Sequence, residues 1–238
     1  MIFPRIAPAV FPDGLAGVVF DCDGVMIDSH EANRAFYDRV LAVLGLPPMG
    51  REEERYAFMA TAAEALRRMV PPELHGEIGR AAAEVDYGRD ILPLVRLMPG
   101  FVPFIELLHA RDVRLAIDTN RTDAGIQRVL DFFSLPPYFD PVISASCARP
   151  KPSPAGAESI LRTWGAEPGQ ALFVGDSEND REAARGAGMV FAGFGGLTGD
   201  VTVRDFAALA DLLDLGRAWT SPAPDQPRRK GTTASESA

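Results

Sequence analysis

The segment AGVVFDCDGV, residues 16–25, places two aspartates directly after a short apolar run. A short apolar run that ends in a polar turn containing glycine is typical of a buried β-strand. Because side chains alternate along a strand, we expect Asp21 and Asp23 to project from one face and Cys22 from the other. In open parallel sheets, ligands bind beyond the carboxyl ends of the strands. The segment therefore predicts a functional site at the end of the first strand.

Four later apolar runs resemble the first and are predicted to be strands; they lie at 113–117, 141–144, 171–174 and 189–192. Between them, apolar residues recur at helical spacing, as at Phe101, Ile105 and Leu108. Strands that alternate with helices predict parallel βαβ units. We therefore predict an α/β fold whose core is a Rossmann-like, doubly wound parallel sheet.

Residues 29–97 interrupt this alternation, because they contain no convincing strand. Asp28 and Glu31 predict a capping box at the start of a first helix. A second apolar stripe covers 56–70, and a third helix is expected at 73–89. The three helices could simply pack on one face of the sheet, but a single crossover rarely needs so many. We therefore predict an inserted α-helical cap domain.

The predicted domains are a catalytic core made of residues 1–28 and 98–216, a helical cap at 29–97, and a tail at 217–238. The tail is poor in apolar residues and rich in proline, serine and threonine. Such a composition cannot bury enough surface to offset the entropy lost on ordering. We therefore expect the tail to be disordered.

The bulk composition limits the partners and the compartment. A formal net charge of −9 over 238 residues argues against non-specific binding to nucleic acid or to an anionic membrane. Cys22 and Cys147 lack CxxC spacing, which predicts neither a zinc site nor a disulfide framework. No apolar run is long enough to span a bilayer and the N-terminus is a poor secretory signal, so we expect a cytoplasmic protein. The sequence predicts no oligomeric state.

A second acidic cluster, GDSEND at residues 175–180, follows the predicted strand 171–174. Asp176 and Asp180 could therefore meet the first aspartate pair at one edge of the sheet. Oxygen ligands at this density suit Mg²⁺, which prefers one or two carboxylates together with substrate phosphate. Each motif alone is ambiguous: the second also fits a turn with a helix N-cap, and Asp-x-Asp also occurs in turns and in glycosyltransferases.

Two further polar sites follow the strands in between. Thr119 and Asn120 come after the strand 113–117, and Lys151 lies between prolines in RPKP, residues 149–152. A lone threonine or lysine is usually structural or solvated. Four polar sites at successive strand ends favour one shared active site. Arg121, also near this edge, could either steer an anion or be solvated.

In that order and setting, the four sites resemble the motifs of the haloacid dehalogenase superfamily, a group consisting mostly of phosphatases. The resemblance covers roughly residues 16–215, with the insert in the position of that family's helical cap. DGVMIDS at 23–29 and RPKPSP at 149–154 look most like the phosphoglycolate phosphatase and β-phosphoglucomutase branch. The matching motifs are DCDGV at 21–25, Thr119-Asn120, Lys151 in KPSP, and GDSEND at 175–180.

The resemblance implies a catalytic role for several residues. Asp21 would attack phosphorus as a covalent nucleophile. Asp23 would protonate the leaving oxygen and later accept a proton from the attacking water. Thr119, Asn120 and Lys151 would bind the substrate through the oxygens of the transferred phosphoryl group.

The resemblance also implies a metal site. Mg²⁺ would be held by the Asp21 carboxylate, the main-chain carbonyl of Asp23 and Asp176, with Asp180 placing the ligand waters. The implied function is a Mg²⁺-dependent phosphatase that acts on a small phosphorylated metabolite through an aspartyl-phosphate.

Two alternatives remain beside this function. A phosphomutase of the same mechanism would return the phosphoryl group from Asp21 to a sugar phosphate. A non-catalytic binding protein on the same fold is disfavoured, because it would have no reason to retain the whole set of aspartates and Lys151. Asp23 argues against a dehalogenase, and the lack of lysine within 29–97 argues against a phosphonatase.

Overall fold

The computed structural model of the chain describes residue 4 and residues 6–215. The predicted tail at 217–238 lies outside the described residues. Within the described part, the strands are β1 (Gly17–Phe20), β2 (Ile27–Asp28), β3 (Arg96–Leu97), β4 (Arg114–Asp118), β5 (Phe139–Ile143), β6 (Ala171–Gly175), β7 (Val190–Gly193) and β8 (Val201–Thr202). The helices are α1 (His30–Val43), α2 (Arg51–Met59), α3 (Ala62–Met69), α4 (Ile78–Glu84), α5 (Phe101–His109), α6 (Asp123–Phe132), α7 (Ala155–Trp164), α8 (Glu178–Ala187) and α9 (Phe206–Leu212).

Six strands form one parallel sheet in the order β5-β4-β1-β6-β7-β8. β1 lies between β4 and β6, so that Val19 is level with Ala116 on one side and Phe173 on the other. All four residues of β1 are buried, as expected for a parallel strand covered on both faces. The residues that follow β1, β4 and β6 therefore meet at one edge of the sheet.

Helices cover both faces of the sheet. Val18 and Phe20 face the larger core, where the Phe20 ring packs edge-on against Phe101 of α5. Val19 faces the other side and shares a second core with Trp164 of α7. The predicted α/β fold with a doubly wound parallel sheet is confirmed. All five predicted strands are present within about two residues of their expected bounds, while the two-residue strands were too short to show any periodicity.

The helical insert leaves and rejoins the core at a two-stranded antiparallel ribbon. In this ribbon Ile27 of β2 pairs with Leu97 of β3, and Asp28 pairs with Arg96. Helices α1 to α4 lie between the two strands and share a hydrophobic cluster of their own, which includes Tyr37, Val40, Leu66 and Ala81. The limits of the cap at residues 29 and 97 stay a prediction. No helix in the described part of the chain is long and apolar enough to cross a membrane.

The predicted capping box at the start of α1 is wrong. Ser29, not Asp28, is the N-cap residue, and its side chain makes no capping bond. The Ser29 hydroxyl instead donates to the Asp23 carboxylate, so Ser29 binds a residue of the site and does not cap the helix. Asp28 accepts a hydrogen bond from the His30 N–H at 3.2 Å.

The predicted second and third helices of the insert are also wrong in extent. The stripe at 56–70 is split, because Thr61 accepts from the Glu64 N–H and starts α3 with a capping box. The segment 73–89 is a 3-10 turn at Pro72–Glu77, the short helix α4, and a π-helical turn at Tyr87–Ile91. Asp86 starts that last turn by accepting from the Arg89 N–H at 3.0 Å.

Candidate active site

Asp21 and Lys151 form the centre of the site. Asp21 directly follows β1, and its N–H donates to the carbonyl of Val174 at 3.0 Å, which continues the pairing with β6. The Lys151 Nζ lies 2.7 Å from Asp21 Oδ1 and 2.5 Å from Asp180 Oδ1. All three charged side chains are buried, so the lysine neutralises carboxylates that water screens little. An anion that enters beside Asp21 would meet the same ammonium group.

Asn120 fixes the backbone of Lys151. The Asn120 Oδ1 accepts from the Lys151 N–H at 2.8 Å, and its Nδ2 donates to the Lys151 carbonyl at 3.0 Å. Thr119 is buried at the end of β4, where its N–H donates to the carbonyl of Ile143 at 3.0 Å and its Oγ1 accepts from the Arg121 N–H at 3.2 Å. The two residues thus join the ends of β4 and β5 to the lysine. Their roles in binding substrate stay predictions.

Three carboxylates form a compact cluster next to the lysine. One oxygen each of Asp21, Asp176 and Asp180 lies within 4.8 Å of the other two. Asp180 is fully buried and accepts from the Ser177 N–H at 3.0 Å and the Ser177 hydroxyl at 2.6 Å. These bonds belong to a capping box that starts α8. The predicted turn with a helix N-cap and the acidic site are therefore both present in one motif.

Two glycines leave the room that this cluster needs. Gly24 has a φ of +82°, and a Cβ there would lie 1.9 Å from Asp176 Oδ2. A Cβ on Gly175 would lie 2.3 Å from the Cβ of Asp180. Since a side chain at Gly24 meets both backbone strain and a direct clash, glycine is required there. These glycines thus allow the DCDGV and GDSEND motifs to lie against each other.

The like charges of the cluster perturb its protonation. Burial, followed by the charge of Asp180, raises the pKa of Asp21 well above its ordinary value, although Lys151 opposes this. Burial and Asp180 also raise the pKa of Asp176 to about 7. Carboxylates held together in this way are stabilised in the ionised form by a cation. Three hard oxygen donors at this spacing fit Mg²⁺.

Asp23 lies in the same cavity as Asp21 but has different partners. Arg121 forms a two-pronged contact with it, from Nε to Oδ2 and from Nη2 to Oδ1, each at 2.7 Å. Burial by itself raises the pKa of Asp23, but the charge and hydrogen bonds of Arg121 outweigh it and hold the pKa below its ordinary value. The Arg121 Nη1 also donates to the Tyr87 hydroxyl at 2.9 Å. Arg121 thus connects the second aspartate to the insert.

This constellation is matched by a known family. Residues 18–194 match the family described as haloacid dehalogenase-like hydrolase. The chain belongs to the haloacid dehalogenase-like hydrolases. The family that the four motifs resembled is therefore confirmed.

Individual relatives of this hydrolase narrow the branch. The chain is 33% identical over 180 residues to phosphoglycolate phosphatase 1 of Pseudomonas aeruginosa, covering 72% of this chain but only 66% of the relative. It is similar in structure to a HAD-superfamily hydrolase, subfamily IA, variant 1, from Geobacter sulfurreducens PCA, with 36% identity, a TM-score of 0.66, and coverage of 84% of this chain and 96% of that one. CbbY from Rhodobacter sphaeroides in complex with phosphate shares 25% identity and a TM-score of 0.71, covering 84% of this chain and 99% of that one. The predicted resemblance to the phosphoglycolate phosphatase and β-phosphoglucomutase branch is confirmed for phosphoglycolate phosphatase.

Two residues of the site of this hydrolase were not predicted from the sequence. The sequence fits Arg121 either steering an anion or being solvated, but in the structure its side chain is only 10% exposed and forms an ion pair with Asp23. Its position directly after Thr119-Asn120 is the one signal that could have singled it out. Asp118, which directly precedes Thr119, was assigned no role from the sequence, yet burial raises its pKa to about 6. Its Oδ2 has no hydrogen-bond partner among the described residues.

The site opens into a cavity of about 910 Å³ between the core of the hydrolase and the insert. Asp21, Asp23, Lys151 and Asp176 lie on its core side, and side chains of α1 to α4 line the opposite side. The insert also touches the core directly. The carbonyl of Met59, the last residue of α2, accepts from Asn120 Nδ2 at 3.2 Å and from Asn179 Nδ2 at 2.9 Å.

Proposed function

We propose that this hydrolase is a Mg²⁺-dependent phosphatase that cleaves a small phosphorylated metabolite through an aspartyl-phosphate on Asp21. The observation that carries the proposal is the position of Asp21, which lies 2.7 Å from Lys151 and shares a carboxylate cluster with Asp176 and Asp180. The relatives called phosphoglycolate phosphatase and the neighbour that contains phosphate support the same chemistry.

In the first step, an Asp21 oxygen forms a bond to phosphorus while the bond from phosphorus to the leaving oxygen breaks. Lys151 pairs with the oxygens of the transferred phosphoryl group, and Thr119 lies on the strand end beside it. Burial alone lowers the pKa of Lys151, but the flanking carboxylates of Asp180 and Asp21 raise it above the ordinary value. Lys151 therefore stays charged throughout the pH range of the reaction and neutralises the developing charge.

Asp23 moves the protons of both steps. It donates a proton to the leaving oxygen in the first step and accepts one from water in the second, when the aspartyl-phosphate is hydrolysed. The Arg121 contact favours the carboxylate form of Asp23, which is the form that the second step requires.

Asp21 and Asp176 would hold Mg²⁺ together with the main-chain carbonyl of Asp23, and Asp180 would hold ligand waters. When bound, the ion would supply positive charge against the phosphoryl oxygens and the carboxylate cluster. Residues 29–97 would act as a cap that closes the cavity, with the contacts of Met59 holding it on the core.

Phosphate release from p-nitrophenyl phosphate tests this function. We expect EDTA to abolish turnover and added Mg²⁺ to restore it, because the carboxylate cluster is poorly tolerated without a cation. Undiminished turnover in the chelator would refute the metal requirement. A screen of phosphorylated metabolites for free phosphate, as opposed to an isomerised sugar phosphate, then separates the phosphatase from a phosphomutase.

A further inference from the structure

The cavity beside Asp21 is large for an ester of a two-carbon acid. Its volume of about 910 Å³ lies near the upper end of the range, about 300–1,000 Å³, of pockets that hold drug-sized ligands. A phosphoryl group joined to glycolate would leave most of this space to water. Because the phosphoryl group must lie against Asp21 and Lys151, the remaining volume faces the leaving group.

The walls on the insert side of this cavity are mainly apolar, with Asn33, Thr61 and Asp86 as the polar exceptions among the described lining residues. Phe36 of α1 and Tyr87 of the π-helical turn lie edge to face, with ring centres 5.9 Å apart, and Phe58 of α2 adds a third ring. Six alanines of the insert also line the cavity, among them Ala63 of α3 and Ala83 of α4. Small and aromatic side chains leave room for an apolar group and gain free energy when it displaces water.

The charges of the same cavity are poorly placed for a carboxylate on a short leaving group. Among the described residues that line it, the cations are Lys151, Arg121 and Arg128, and all three come from the core. Lys151 and Arg121 are engaged by aspartates. Arg128 is exposed and lies over the Tyr87 ring, 5.8 Å from its centre. Asp86, which the insert contributes, would repel an anion. A buried carboxylate without a partner is costly.

We propose that the substrate is a phosphate monoester whose leaving group is bulky and largely apolar, larger and less charged than glycolate. The inference rests on the proposed function, because it takes the attack of Asp21 on phosphorus as its starting point. Selectivity then comes from the apolar walls of α1 to α4 and not from a cation that binds the leaving group.

Three primary alkyl esters test the inference: ethyl phosphate, 2-phenylethyl phosphate and phosphoglycolate. Alkyl esters are preferred to aryl esters, since a phenol leaves more readily and would confuse size with reactivity. We expect kcat/KM for 2-phenylethyl phosphate to exceed that of either other ester by about tenfold or more, the scale on which an apolar pocket discriminates. Esters that turn over too slowly are ranked as competitive inhibitors of p-nitrophenyl phosphate hydrolysis, with the same order expected.

A matched pair of variants tests whether the insert side of the cavity determines selectivity for the leaving group. Ala63→Phe places a ring in the cavity, whereas Ala42→Phe makes the same change at an exposed position of α1 outside it. We expect Ala63→Phe to lower kcat/KM for 2-phenylethyl phosphate about tenfold or more while ethyl phosphate changes less than about twofold. Ala42→Phe should change neither. Ala83→Phe fills the cavity from α4 and serves if thermal melting shows that Ala63→Phe does not fold.

The possible outcomes distinguish failure of the proposed leaving-group selectivity from failure of the proposed phosphatase function. An order in which phosphoglycolate or ethyl phosphate equals or exceeds 2-phenylethyl phosphate, in turnover or in inhibition, overturns the inference and leaves the phosphatase intact. Equal losses for ethyl phosphate and 2-phenylethyl phosphate in Ala63→Phe overturn it as well. A lack of Mg²⁺-dependent phosphate release from p-nitrophenyl phosphate overturns the proposed function itself.

Discussion

Asp21 and Asp23 lie two residues apart, yet the halves of the site around them are built differently. The half around Asp21 comes from the core alone, since Lys151 lies between Asp21 and Asp180, and Asn120 binds the lysine backbone on both sides. The half around Asp23 depends on Arg121, which also donates to a tyrosine of the insert. The first half is therefore built from core residues and contacts the insert through Asn120 and the Met59 carbonyl, whereas the second half contacts the insert through the Arg121 side chain that also binds Asp23.

The largest expected effect concerns the first half. Asp21→Asn removes the attacking carboxylate, so we expect turnover to disappear and no phosphoenzyme to form. Asp23→Asn leaves the nucleophile in place and removes proton transfer, a contribution of about 10²–10⁴-fold. The two variants change chemically equivalent groups at neighbouring positions and serve as controls for each other.

Trapping with a reactive acyl phosphate, followed by intact-mass spectrometry, tells these variants apart. We expect a phosphate adduct on the Asp23→Asn protein and none on the Asp21→Asn protein. Near-normal turnover by Asp21→Asn would contradict covalent catalysis, and metal-activated water would become the better mechanism.

The second prediction concerns the partner of Asp23. Arg121→Gln removes the charge that holds the pKa of Asp23 below its ordinary value, while burial continues to raise it. The pKa of Asp23 should therefore rise, and the acidic limb of the pH–rate profile should move to higher pH by about 1–3 units. The profile is measured as kcat with p-nitrophenyl phosphate.

Arg128→Gln is the matched control for this shift, because it removes a second cavity arginine that has no ion pair with Asp23. Its acidic limb should stay at the wild-type position. An unmoved limb in Arg121→Gln would show that the ion pair does not govern proton transfer.

The third prediction concerns the carboxylate cluster without its ion. The pKa of Asp176 is raised to about 7, and a carboxylate must be ionised to bind a metal. Below pH 7, protons therefore compete with Mg²⁺, and its apparent affinity should fall about tenfold per pH unit. Isothermal titration of the metal-free protein with Mg²⁺ at pH 6, 7 and 8 measures this, and an affinity independent of pH would contradict it.

Where the sheet builds the site, its residues could be predicted from the sequence. Parallel strands end at one edge of a sheet. The polar motifs that follow the apolar runs therefore predict that four residues lie close together: Asp21, Thr119, Lys151 and Asp176. The role of Arg121 could not be predicted, because a single arginine forms no periodic pattern and its partner, Asp23, lies 98 residues away in the chain.

The insert shows the same limit for local structure. The apolar pattern predicted that the insert is helical but not where its helices begin and end, because these boundaries depend on single side-chain hydrogen bonds. The Thr61 capping box divided one predicted helix into two. Ser29 donates to Asp23 across six residues and makes no capping bond to its own helix. Propensity and spacing do not reveal such tertiary choices.

The smallest expected effect concerns the contact between the insert and the core. Asn179→Ala removes one of the two hydrogen bonds that the Met59 carbonyl accepts, and leaves the one from Asn120. A hydrogen bond of this kind contributes about 1 kcal/mol, which lowers the equilibrium constant for closing the insert about fivefold. If substrate binds best to the closed form, KM should rise by up to about that factor. The change in kcat should be small, because Asp21 and Lys151 keep their partners.

Glu178→Ala is the matched control, since Glu178 is exposed beside Asn179 on α8 and pairs with Arg181. It should leave KM unchanged. A fall in kcat with constant KM in Asn179→Ala would mean that the asparagine acts on Asp180 next to it and not on the insert. Hydrogen exchange of the amides in α2 decides between these outcomes: loosening of the Met59 contact should speed exchange at the end of α2 in Asn179→Ala, whereas a local disturbance of Asp180 should leave α2 protected as in the wild type.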